Sequence, residues 1–220
     1  MKIEMHAHTS EASPCANISA SRLVSMYTEA GYDAVVITDH YCKWVMEQSG
    51  STTPETYVEY FLSGYRTARE AAQNTSLSIW LGAEVNLLES PNDYLLYGAT
   101  EEFFRKNPSV FTLSQKELYF LCQKNQILLF QAHPYRTYCN PGEPQFLDGA
   151  ESYNGNPRHN NRNEDAVAWT QKNHLLVSSG SDFHEAEDLA RGGIYTEESI
   201  HDITGLCNLL KSNRYQLIQP

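Results

Sequence analysis

Long apolar runs are missing from this 220-residue chain: the longest unbroken one is the five residues Leu118–Cys122 (LYFLC). A membrane-spanning helix needs about 20 such residues, so none is expected. The opening MKIEMHAHTS lacks the apolar core of a signal peptide. Cysteine is scarce and unpatterned, with five residues at 15, 42, 122, 139 and 207 and no CxxC pair. That argues against a disulfide framework and for a reduced, cytoplasmic setting. Cations are short as well: 16 lysines and arginines against 27 acids leave a net charge of −11. Gripping a long phosphate backbone takes clustered cations, so an extended nucleic-acid partner is not expected. A small phosphorylated substrate stays compatible, because bound metal ions can supply the positive charge. Repeats, low-complexity tracts and linker-like stretches are absent, and residues 1–220 read as one domain. No coiled-coil pattern specifies an oligomeric state.

What is present is a regular alternation. Lys2–His8, Asp33–Thr38, Leu77–Val85, Tyr94–Ala99, Ile127–Ala132, Leu147–Tyr153 and Leu175–Ser179 read as strands. Helices are predicted over residues 19–31, 54–73, 114–125, 163–172 and 200–211. Pro54 suits a first helical position, and Ser114 with Glu117 makes a capping box. Strands alternating with helices imply parallel βαβ units, hence an α/β sheet or a small barrel.

The histidines then fall in a telling place. His6 and His8 end the first strand, two residues apart and so on one face. Asp39-His40 ends the second and Glu84 the third; His133 follows ILLFQA, and Asp182-Phe183-His184 follows LLVSSGS. Each segment lies at the C-terminal end of a strand, the rim where barrels gather catalytic groups. His159, His174 and His201 follow no apolar strand. Imidazole and carboxylate donors without thiolate suit zinc, iron or manganese. Seven donors exceed the four positions of one zinc, so two or three divalent ions sharing carboxylates are expected. Such ions, roughly 3.5–4 Å apart, activate water and clamp a phosphoryl oxygen. Asp39 fits an orienting role behind a ligand imidazole, or a cap on the loop leaving its strand.

In order along the chain, five segments resemble the motifs of the PHP (polymerase and histidinol phosphatase) family. They are His6-Ala7-His8, Thr38-Asp39-His40, Gly82-Ala83-Glu84, Ala132-His133-Pro134 and Ser181-Asp182-Phe183-His184, within a span from His6 to about Gly193. The resemblance implies a distorted (β/α)7 TIM-like barrel holding up to three Mn, Zn or Fe ions and acting on phosphate esters. It implies that His6, His8, Glu84 and Asp182 hold the first ion, Glu84 and His133 the second, and His40 and His184 the third. Two positions depart from the pattern. Asp93 stands where the family often has a histidine before the Tyr97-Gly98 strand ending, and is assigned to the second ion. Ser13 and Pro14 stand where the family supplies an acid or histidine, and Glu11 is the nearest acid for the third ion.

For the substrate, Arg136 and Arg191 are candidates to hold phosphate through their planar guanidinium forks, and Arg158-His159 lie in a polar loop on the same rim. Glu84, Asp182, Asp39 and Arg136 make up the expected catalytic set. Cys15 and Cys42 flank ligand segments and read as packing residues. The leading expectation is a metal-dependent phosphoesterase for a small phosphomonoester or nucleotide. A 5′-exonuclease of short oligonucleotides and a metal-loaded, non-catalytic binding module are the alternatives. An amidohydrolase-like reading ranks lower, since no lysine lies at a strand end to bridge two metals as a carbamate.

Overall fold

A computed structural model describes residues 1–219. The strands that carry the motifs are β1 (Lys2–Ala7), β2 (Ala34–Ile37), β3 (His40–Tyr41), β4 (Ser78–Asn86), β5 (Asp93–Tyr97), β6 (Leu128–Gln131), β7 (Gly149–Asn154) and β8 (Leu176–Gly180). Two-residue strands β9 (Ile194–Tyr195) and β10 (Gln216–Leu217) extend the sheet, whose order is β10-β9-β1-β2-β4-β5-β6-β7-β8 with β3 on β4. The sheet nearly closes on itself just beyond β8. Phe183 bridges Ala7, with His8 N donating to Phe183 O (2.9 Å) and Phe183 N to His6 O (3.1 Å).

The all-parallel expectation is corrected at β5, which runs antiparallel to both β4 and β6. Only residues 87–92 join β4 to β5. A parallel return needs a crossover of about a dozen residues or more, so the chain doubles back. The other motif-bearing strands keep one direction. Their C-terminal ends therefore share a rim, and β5 brings its first residue, Asp93, to that same rim.

The helices are α1 (Ala20–Glu29), α2 (Lys43–Gln48), α3 (Pro54–Ala71), α4 (Glu101–Lys106), α5 (Gln115–Lys124), α6 (Asn163–Lys172) and α7 (Ile203–Ser212). Ser19, Thr53, Ser114 and Asp202 cap α1, α3, α5 and α7. Inside the sheet Ile3, Met5, Val36, Leu95 and Phe130 pack with Leu206, Leu209 and Leu210 of α7. Outside, Val35 and Ile37 meet Leu23, Val24 and Tyr27 of α1, and α3–α5 cover β4–β6 with Phe61, Phe104 and Leu118. Each such side chain contributes about 1.5–3 kcal/mol on burial. Among the described residues no helix is long and apolar enough to cross a membrane.

Two bulges aim the strands at the rim. In β1 the pairing steps from Glu4↔Val35 to Ala7↔Ile37, an extra residue on the β1 side. Glu4 therefore points outward to Tyr27, while Met5 and His6 both turn inward, one to the apolar interior and one to the rim. β7 does the same between Glu151 and Tyr153, which lets Glu151 and Asn154, three apart, face one another across a 2.8 Å hydrogen bond. An added residue that redirects a side chain is what bulges near sites provide.

Candidate metal centre

Glu84 is the hub. His40 is its register partner across β3–β4, and His40 Nδ1 lies 2.9 Å from Glu84 Oε2. Glu84 Oε1 faces His133 Nε2 at 3.0 Å. Four further separations define the centre: His6 Nε2 and His8 Nε2 stand 3.4 and 3.3 Å from Glu84 Oε2, and 3.5 and 3.4 Å from Asp182 Oδ1. A tetrahedron with bonds of about 2.1 Å, the usual length for zinc and nitrogen or oxygen, has edges of roughly 3.4 Å. Among the described residues five buried side-chain atoms have no partner in hydrogen-bond geometry, and three of them are His6 Nε2, His8 Nε2 and Glu84 Oε2, the nearby His40 Nδ1 being misaligned for a bond. Buried polar atoms left unpaired are costly; here they converge on one point, as the donor set of a cation does. The residues fit a divalent ion.

The rest of the cluster follows. His8, His40 and His184 offer donor atoms within 4.8 Å of one another, as do Asp93, His133 and Cys139. Burial alone would raise both acids of the hub. His6 and His40 around Glu84, and Arg136 and His6 beside Asp182, outweigh it and hold both carboxyls well below the usual range. Burial and the charge of Glu84 push Asp93 up to about 6. His133 (φ 28°) and Asp182 (φ 51°) occupy the left-handed region, a strain of about 1–3 kcal/mol each that functional sites tolerate when their surroundings hold them.

Several predicted residues take other places. Glu11 is not brought to the cluster: both its carboxylate oxygens accept from Ala20 N at the start of α1 (3.1 and 2.9 Å). Asp39 does not touch the His40 ring. It accepts from Thr9 N, Thr9 Oγ1 and Ser13 Oγ, each at 2.7 Å, and Ser13 Oγ in turn sits 3.4 Å from His8 Nδ1. The acid thus fixes the loop after β1 and orients His8 through Ser13. Gly64 of α3 makes room, since a Cβ there would lie 2.4 Å from Asp39 Oδ2 and 2.0 Å from Thr9 Oγ1. Arg136 donates to Asp182 Oδ2, to Asn154 Oδ1 (3.1 Å) and to Asn161 Oδ1 (2.8 Å). Arg158 pairs with Asp188 at 2.9 Å. Arg136, Arg158 and His159 line the cavity over the cluster, about 350 Å³. Arg191 does not line it; its Nε donates to Glu187 O (2.7 Å) and it lines a neighbouring cavity of about 560 Å³ walled by asparagines.

Three side chains at the site were given no site role from the sequence. Glu151 accepts from His6 Nδ1 (3.0 Å) and from His133 N (3.0 Å), so the His6 Nε2 is the nitrogen left for an ion. Cys139 Sγ lies 3.6 Å from His133 Nδ1. Cys15 is a cavity wall rather than a packing residue. Its outer edge is open to solvent; burial of the sulfur would raise the thiol, but the His184 and His40 imidazoles outweigh it and bring it down to about 6. The only sequence signal for these was nearness to motif residues.

No protein-family model and no curated protein matches the chain. Solved structures do. A two-domain protein containing a predicted PHP-like metal-dependent phosphoesterase, from Bacteroides vulgatus, superposes with TM-score 0.74 at 15% identity over 100% of this chain and 64% of its own. A lesion-specific endonuclease, PfuEndoQ from Pyrococcus furiosus, gives 0.65 at 12% identity, with 98% and 57% covered. An amidohydrolase from Chromobacterium violaceum with bound sulfate gives 0.58 at 14%, with 98% of each covered. The chain therefore has the fold of PHP-like phosphoesterase structures, and it spans just under two thirds of the Bacteroides protein. Because the same fold is shared by proteins named as a predicted phosphoesterase, an endonuclease and an amidohydrolase, the reaction has to be argued from the site.

Proposed function

We propose that the chain is a metal-dependent phosphoester hydrolase acting on a small phosphomonoester or nucleotide. The observation that carries this is the metal-like spacing of four converging donors, three of them without a hydrogen-bond partner, beneath a cavity with arginines on its wall. His6, His8, Glu84 and Asp182 would hold a first ion, Glu84, His133 and Asp93 a second, and His40 and His184 a third. Divalent Mn, Zn or Fe ions bound there supply Lewis-acid charge and lower the pKa of water. The chain's own residues do the rest. Glu151 and Ser13 fix the imidazole orientations, an outer-shell role. Arg136, clamped by Asp182, Asn154 and Asn161, presents a pre-oriented guanidinium to a phosphoryl oxygen. Arg158 adds charge at the rim, and His159, exposed on the cavity wall, would pass a proton to the leaving oxygen.

A cavity of about 350 Å³ is at the small end of ligand sites, and the net charge of −11 opposes a long polyanion. A second reading, cleavage of short oligonucleotides, draws on the asparagine-lined cavity that shares His159 with the metal cavity and has room for a flanking nucleotide. Manganese-loaded chain incubated with phosphomonoesters, nucleotides and short oligonucleotides separates the two: free phosphate supports the first, released mononucleotide the second. His133→Ala and Asp182→Ala should each abolish turnover, and hydrolysis unchanged in both variants would sink the proposal. Tight binding of a phosphorylated ligand without turnover under any metal would mark a non-catalytic module.

A further inference from the structure

The loop after β1 carries what the cluster lacks. Its acid, Glu11, is engaged at the start of α1, and its hydroxyl, Ser13, is engaged by Asp39. Pro14 has no donor. The remaining side chain with a metal-binding atom between His8 and α1 that reaches the cavity is Cys15. Hydrogen bonds on both sides hold it there. Before it, His40 N donates to Ser13 Oγ (3.0 Å); after it, Asn17 N donates to His184 O (2.9 Å). Cys15 is thus tethered beside the two histidines assigned to the third ion, on the wall of the cavity they share. The same spot gathers imidazole donors: His8, His40 and His184 offer ligand atoms within 4.8 Å of one another, and the His8 ring centroid lies 4.3 Å from that of His40 and 4.2 Å from that of His184.

We propose that the thiolate of Cys15 completes the third cation site with His40 and His184, making it a thiolate–imidazole site that takes zinc in preference to manganese. Soft sulfur donors favour zinc, whereas manganese favours oxygen. The inference rests on the metal-centre reading above and names one donor within it. The side chain's solvent-open edge leaves this ion exchangeable while the first ion is enclosed.

The test uses the full chain loaded to saturation with cobalt(II), a spectroscopic stand-in for zinc. A thiolate-to-cobalt charge-transfer band in the near ultraviolet is expected, lost in Cys15→Ser and retained in Cys139→Ser, whose sulfur lies by His133. Zinc retained after dialysis should fall by one ion per chain in Cys15→Ser and return in Cys15→His without the band, which separates ligand loss from misfolding. A band that survives Cys15→Ser, a band lost only in Cys139→Ser, or no band in the saturated wild-type chain would each overturn the proposal. A chain that binds no cobalt at all would overturn the metal-centre reading and this inference with it.

Discussion

A histidine ligates through one nitrogen only if something holds the other, and at this site the holding residue is Glu151. One of its oxygens accepts from His6 Nδ1 and the other from His133 N and Asn154 Nδ2, so a single carboxylate sets two ligand positions from two strands. Glu151→Gln keeps the size but replaces one acceptor oxygen with a donor. Metal affinity should fall by about 10–100-fold, the usual effect of losing an outer-shell partner, with the circular dichroism spectrum unchanged. Isothermal titration with manganese would show it; equal affinity in wild type and variant would remove Glu151 from the metal-holding group. The histidines were legible in the sequence because each sits in a short motif at a strand end. Glu151 was not, because it lies mid-strand in LDGAESYNG, and only the bulge that follows lets both it and Asn154 turn to the rim. Cys15 was misread for a similar reason: its role depends on Ser13 and Asn17 anchoring the loop, which no spacing reveals.

Hydrophobic period and capping chemistry made the long elements readable. Helix α6 coincides with its predicted bounds, and α5 begins at the Ser114–Glu117 capping box as expected. The six-residue helices α2 and α4 and the two-residue strands were missed, since two turns or a single bridge carry too little period to stand out. The strand β5 was read, but its antiparallel direction was not, because a short apolar run suits a strand of either direction; the direction is set by the short loop before it. These elements also differ in what they serve. The capping box of α5 stabilises an outer layer whose core contacts are Leu118 and Cys122, away from the rim. Ser114→Ala should therefore lower stability by about 1 kcal/mol, read as a melting temperature reduced by about 2–4 °C for a chain of this size. Metal content should not change. A variant that melts normally but loses metal would contradict this division between scaffold and rim.

Across the whole molecule, folding concentrates ionisable groups whose charges depend on what occupies the centre. In the metal-free chain burial opposes protonation of His6 and His40, but Asp182 and Glu84 around them outweigh it and hold both well above their ordinary value of 6.5. Groups raised in this way stabilise the fold fully below that value, and the contribution is lost as pH rises through their folded range. His8 is held well below 6.5 by burial and by the charges of His184 and His40, so it is neutral already and adds no slope above that pH. Metal binding has the opposite demand, because imidazoles ligate only when neutral. An ion's stabilisation grows with its occupancy, about 2.7 kcal/mol when free metal is 100 times the dissociation constant, and occupancy at fixed metal rises as protons leave. Both effects have the same sign. The gap in melting temperature between manganese-loaded and metal-free chain should therefore widen steadily from pH 6.5 to about 8. Thermal unfolding at several pH values, with and without metal, measures it directly. A gap that stays constant or narrows would mean that the histidines are not exchanging protons for metal, and the hub around Glu84 would then need a purely structural explanation for its unpaired donors.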